Sequence, residues 1–122
     1  MKLVQQEAES DALRSFLRRR RTDARVTSAL ARVEVVRAVA PGGPGAVASG
    51  RRQLGRIHQV TVDAALLDSA AALGPEAMLR SLDAIHLASA QLLGADLRAV
   101  VTYDRRMATA AAAIGLPVEA PR

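Results

Sequence analysis

Hydrophobic positions along this chain recur mostly every three or four residues, and alternate in only a few short stretches. Residues 3–20, LVQQEAESDALRSFLRRR, set Val4, Ala8, Ala12, Leu13, Phe16 and Leu17 at helical spacing. Arg18–Arg21 closes that helix with cations that its dipole favours, and the same run is a candidate RNA-facing patch. Arg25-Val26-Thr27 reads as a short strand. Thr27 or Ser28 is then placed to cap a helix that runs to about Ala40, where Pro41 stops it. Pro41-Gly42-Gly43-Pro44-Gly45 is too short for an interdomain linker and reads as a loop between helices. A helix with a basic end (Arg51, Arg52, Arg56) follows over residues 46–56.

Ile57–Val62 has the alternation of a strand, and Asp63 can cap the next helix, which ends near Gly74-Pro75. The pattern then predicts a helix over 81–93 and a strand over Leu97–Thr102. A helix over Arg105–Ile114, with Gly115 just beyond it, and a short last strand over Leu116–Val118 complete the chain. Strands alternating with helices imply an α/β domain with a parallel sheet covered on both faces. The order is odd in one respect: it opens on a helix with no strand before it.

Length and composition narrow this picture. The 122 residues fit a single domain, 1–122, and half of them are hydrophobic although only Phe16 and Tyr103 are aromatic. Alanine is the commonest residue, so the core must come from Leu, Val and Ile between closely approaching helices. No apolar run approaches a membrane span and no signal-peptide core is visible, so the expectation is a soluble, cytoplasmic protein with no membrane partner. The absence of cysteine excludes disulfides, thiolate zinc sites and cysteine nucleophiles. The net charge of +5 rests on arginine, with Lys2 the only lysine. Arginine forks onto phosphate oxygens, although such a balance is also ordinary solubility charge. Scarce aromatics argue against a base-stacking platform.

Three acids stand out. Glu34 lies mid-helix among Val33, Val35 and Val36, where pairing with Arg37 is the plain structural role. Asp83 lies in the first turn of LRSLDAIHLASAQLLG, after Ser81 as a possible cap, and the helix dipole alone would favour it there. Ile85, Leu87 and Leu92 mark that helix as a core element. Asp104 ends an apolar strand and opens a helix, which is a capping position and also the strand end where open α/β sheets bind ligands. His86, one turn after Asp83, reads as a half-buried histidine held by a neighbour. With only His58 for company, a zinc site is poorly supported. Carboxylates brought together repel unless a cation joins them, and an all-oxygen set selects Mg2+ or Mn2+. Such a cation lowers the pKa of bound water and neutralises charge developing on a phosphate, while the arginines hold the polyanion.

The pattern resembles the PIN domain, specifically the VapC-type toxin ribonucleases of toxin–antitoxin pairs. TSALARVEVVRA is similar to the family's segment leading to a helical glutamate, here Glu34. LRSLDAIHLASAQLLGA looks like the family signature with its aspartate at Asp83, and VVTYDRRMATAAAAIGLPV resembles the segment whose aspartate is Asp104. VQQEAESDALRSFL resembles the family's first helix. The resemblance implies a PIN-like three-layer α/β/α fold with a central parallel sheet, and an Mg2+-dependent endoribonuclease (Mn2+ being the other candidate) that cuts structured RNA. It also implies a homodimer and a cognate VapB-type antitoxin occupying the acidic groove. Glu34, Asp83 and Asp104 match three of the family's four catalytic, metal-binding acids, and Ser28 is a candidate for a supporting polar role.

The departure is at the start. The family begins with a hydrophobic strand that ends in the first metal-binding aspartate, whereas Met1-Lys2-Leu3 resembles the residues just after it. The N-terminal strand, roughly ten residues, is therefore expected to be missing from a truncated domain, and cleavage by this chain alone is expected to be weak or absent. The alternatives are a catalytically impaired PIN-like protein that only binds antitoxin or RNA, and a plain basic nucleic-acid-binding domain whose acids are caps. If the start lies upstream, the preceding reading frame encodes an apolar strand ending in aspartate. An in-frame stop directly before Met1 would overturn this.

Overall fold

The protein is described by a computed structural model covering residues 10–73 and 79–121. The chain divides into two compact units at Val60–Thr61, with Pro121 belonging to the first.

In the first unit, α1 (Ser10–Arg19) has Asp11 in its first turn and Arg18 and Arg19 in its last, as the dipole favours. Leu13 and Phe16, three residues apart, are its buried anchors. The Arg20 guanidinium lies 4.9 Å from the centre of the Phe16 ring, a cation–π contact. The part of the expected helix before Ser10 lies outside the described residues. Strands β1 (Val26–Ser28) and β2 (His58–Val60) pair in parallel, with Val26 opposite His58 and Ser28 opposite Val60. The ladder continues through Arg25 O, which accepts from His58 N at 2.8 Å, and Val60 O, which accepts from Ala29 N at 2.9 Å.

Two helices separate these strands, α2 (Ala31–Val39) and α3 (Pro44–Leu54). Ala31, Val35 and Leu54 form the small core between them. The stretch expected as a loop is more ordered than its composition implies. Ala40–Gly42 is a 3-10 turn, Gly43 reverses the chain at φ +93°, and Pro44 is the first residue of α3. Proline at that position loses no hydrogen bond and has its φ already set for a helix, so it starts the helix instead of interrupting it.

In the second unit, Asp63 caps α4 (Ala64–Ala71), its Oδ1 accepting from Leu66 N at 2.9 Å, as the sequence leads one to expect. Helix α4 packs on α5 (Ser81–Gln91). A 3-10 turn at Gly94–Asp96 leads to β3 (Val100–Val101), which pairs in parallel with β4 (Val118–Glu119). Helix α6 (Arg105–Ala113) joins them. Its end is a Schellman motif: Gly115 adopts φ +81° and its N donates to Ala112 O, while Leu116 N donates to Ala111 O at 2.9 Å. That bond ties Leu116 to the helix end, so β4 begins at Val118 and not at Leu116 as expected. Both strands are shorter than their apolar runs.

The core of this unit gathers around Leu87, Ala110 and Ala111, with Val100, Met107 and Val118 packed against them. Leu92, expected in that core, is 64% exposed. It follows α5 and sits five positions beyond Leu87, about 140° around the helix from it. Leu87→Ala should therefore lower the free energy of unfolding by about 2–5 kcal/mol in urea titrations. Leu92→Ala should change it by no more than about 0.5 kcal/mol. A large loss at Leu92 would contradict this packing.

Candidate active site

The site builds from the two acids of the second unit. Asp104 precedes α6 with extended backbone, and its Oδ1 accepts from Arg106 N at 2.9 Å and Met107 N at 3.3 Å. Thr102 Oγ1 in turn accepts from Asp104 N at 3.1 Å and fixes the turn out of β3. One carboxylate oxygen is thus committed to the helix cap. The other, Oδ2, accepts from Arg80 Nη2 at 3.4 Å.

Asp83 lies in the first turn of α5. The cap expected from Ser81 is not there: Ser81 is the first helical residue, and Arg80 holds the capping position with extended backbone and no side-chain cap. The Arg80 side chain does something else. Its Nε donates to Asp83 Oδ2 at 3.0 Å, while the far end of the same guanidinium reaches Asp104. The Asp83 side chain is only 13% exposed, against 42% for Asp104 and 66% for Arg80. Two carboxylates, one of them well sheltered, therefore converge on a single cation.

Glu34 belongs to the first unit, in the first turn of α2 and not mid-helix as the sequence had it. Ala31, Val35 and Val39 form the buried face of α2, one turn apart, which leaves Glu34 and Val33 exposed. Of its apolar neighbours Val33, Val35 and Val36, Val35 alone is fully buried. Ser28 is almost fully buried at the end of β1. Its Oγ accepts from Leu30 N at 3.3 Å, closing a turn before α2 instead of capping the helix from its first position. His86 is half-buried on α5, and His58 is exposed on β2.

Arg80 is the residue sequence reasoning missed. Its place three residues before Asp83 was a usable signal, but the reach to Asp104 spans 24 positions and no local spacing reveals it. Both contacts described for Arg80 are to carboxylate oxygens, the donors that a hard divalent cation also takes. The fit is partial: among the described residues no three acidic or histidine side chains group as a metal cage.

The sequence matches the PIN domain over residues 1–113, and the chain belongs to that family, with the α/β arrangement of helices and parallel strands expected of it. Three relatives place it more finely, among the VapC-type ribonucleases. It is 51% identical to Ribonuclease VapC46 of Mycobacterium tuberculosis, over 99% of this chain and 91% of that protein. Ribonuclease VapC35 of the same species is 48% identical over 99% of this chain and 90% of the relative. Ribonuclease VapC47 is 37% identical over 98% and 90%. No solved structure matches the chain.

The divided duty of Asp104 is separable by substitution. Asp104→Ala removes the cap and should cost about 0.5–2 kcal/mol, whereas Asp104→Asn keeps a capping oxygen and should stay within a few tenths. Chemical denaturation of both variants checks this. Equal losses would mean that the charge, and not the cap, supports the fold.

Proposed function

We propose that this protein is the Mg2+-dependent endoribonuclease toxin of a VapBC-type toxin–antitoxin pair, with structured RNA as its substrate. Glu34, Asp83 and Asp104 are its catalytic, metal-binding acids, and Mn2+ is an acceptable replacement for Mg2+. The observation that carries this reading is the convergence of Asp83 and Asp104 on one cationic group in a ribonuclease-family chain.

The residues divide the work. Asp83, sheltered and anchored in a core helix, offers the carboxylate that most needs a cation beside it. Asp104 keeps Oδ1 on the α6 amides, so its Oδ2 is presented in a fixed direction. Glu34, exposed on α2, is the third acid of the set. When bound, the divalent cation supplies a water of lowered pKa and neutralises charge developing on the scissile phosphate. Arginines, including the run Arg18–Arg21, contact the RNA backbone, whose binding is then strongly salt-dependent. The setting is a single PIN domain acting in the cytoplasm, as a homodimer held in check by a VapB-type antitoxin that covers the acids. No helix among the described residues is long and apolar enough to cross a membrane.

The test uses protein expressed from its own reading frame, with a structured RNA such as transfer RNA. Cleavage should require Mg2+ or Mn2+, stop in chelator, and fall by about 100-fold or more in Asp83→Asn, the loss of a few kcal/mol of transition-state stabilisation. RNA or antitoxin binding without any cleavage would select the impaired-binder reading instead. Cleavage indifferent to chelator and to Asp83→Asn would overturn the metal-site assignment.

A further inference from the structure

We infer that the first unit carries an RNA-docking surface of its own: an arginine pole where β1 and β2 begin, at the opposite end of those strands from Glu34. This rests on the RNA reading above and adds to it a surface that grips backbone phosphates without metal or acids.

Parallel pairing gathers the pole. Strands β1 and β2 begin side by side, with Val26 opposite His58 and Arg25 O accepting from His58 N at 2.8 Å. Each strand is entered from the C-terminal end of a helix, β1 from α1 and β2 from α3. Both helices close on arginines, Arg18 and Arg19 in the last turn of α1 and Arg51 and Arg52 in that of α3. The chain stays near each helix end, through Asp23 N on Arg20 O at 2.9 Å and Ile57 N on Leu54 O at 3.1 Å. Arg25 and Arg56 lie on the two adjoining strand entries, their backbones about 5–10 Å apart. Glu34 lies past the far end, because β1 leaves at Ser28 before α2 begins, roughly 10 Å of strand away.

Charge and chemistry then select the occupant. Arg19, Arg25, Arg51, Arg52 and Arg56 are all exposed, and no ion pair joins them to an acid among the described residues. Asp23 is the only acid between Asp11 and Glu34, and none occurs between Glu34 and Asp63. The helix dipole accounts for cations in the last turns but fades beyond them, so it leaves Arg25 and Arg56 unexplained. Gathered like charges repel one another, and a polyanion relieves that repulsion. Residues 1–60 hold 12 of the 17 basic side chains, whereas residues 61–120 hold seven of the 12 acids, so attraction for RNA belongs to the first unit. Phe16, its one Phe, Tyr or Trp, is buried, which leaves no such ring for bases to stack on. Arginine forks instead take pairs of phosphate oxygens, the groups that structured RNA presents whatever its sequence.

The experiment is binding of a labelled RNA hairpin in chelator, measured against salt. It compares wild type with Arg25→Gln/Arg56→Gln, Arg51→Gln/Arg52→Gln and Asp83→Asn. Each arginine pair should lower the slope of log affinity against log salt by about 1.4–1.8, two phosphate contacts. The loss should be the same on a hairpin of unrelated sequence. Arg25→Lys/Arg56→Lys keeps the charge and should keep the slope, which a role in folding alone would not predict. Asp83→Asn should bind at least as tightly as wild type, and weaker binding there would tie docking to the acids and overturn the pole. An unchanged slope in either arginine-to-glutamine pair, with wild type bound, overturns it and leaves the ribonuclease reading standing. Displacement of the hairpin by poly-L-glutamate at equal charge would assign the surface to an acidic protein instead. A wild type that does not bind the hairpin at low salt defeats both readings.

Discussion

Asp83 and Asp104 stand at the starts of two helices that share a buried core involving neither of them. Leu87 meets Ala110 and Ala111 in the core of the second unit, and these three are almost wholly buried. Asp83 stands one turn before Leu87 on α5, so it lies over the same side of the helix. Asp104 caps α6, the helix that carries the two alanines. Ala110 and Ala111 leave no free space around Leu87, and a longer side chain at either position would overpack or strain this core. Beside this core, the two carboxylates reach one guanidinium.

Bringing them together creates an electrostatic problem that the chain solves locally. Two carboxylates near one another raise the free energy of both ionised forms unless a cation intervenes. The more sheltered Asp83 has less water to help it, so it depends more on a partner than Asp104 does. Asp104 has a second source of stabilisation in the α6 amides, which point partial positive charge at Oδ1. A capping role and a ligand role are often weighed as alternatives for such an aspartate. Here the cap uses Oδ1 and the contact with Arg80 uses Oδ2, so the one carboxylate serves two partners.

Local chemistry was readable in the sequence, and distant contact was not. Asp63, Asp104 and Gly115 were legible as caps because each acts on backbone within a few residues of itself. Pro44 was misread as a loop residue because proline both breaks helices and begins them, and only position decides. Ser81 looked like the better cap by residue type, yet Arg80 holds that position and uses its side chain elsewhere. Leu92 illustrates a second limit: periodicity marks a residue as apolar without fixing where its helix ends. Asp83 and Asp104 stood out by residue type and by their places at element boundaries, Glu34 by residue type within an apolar helix. The cation between two of them emerges only when positions 24 apart along the chain are folded together.

A nuclease built this way must reconcile acids with an acidic substrate. Net positive charge spread over the surface raises attraction for RNA as a whole, but it acts at a distance and is screened by salt. It does nothing for the few ångströms around the carboxylates, where repulsion of phosphate is strongest. Only a cation in contact with those oxygens changes the local field. Most arginines of this chain are exposed and lie away from these two acids, whereas Arg80 is in contact with both. Arg80 is therefore distinguished from the other arginines by its position, not by its residue type.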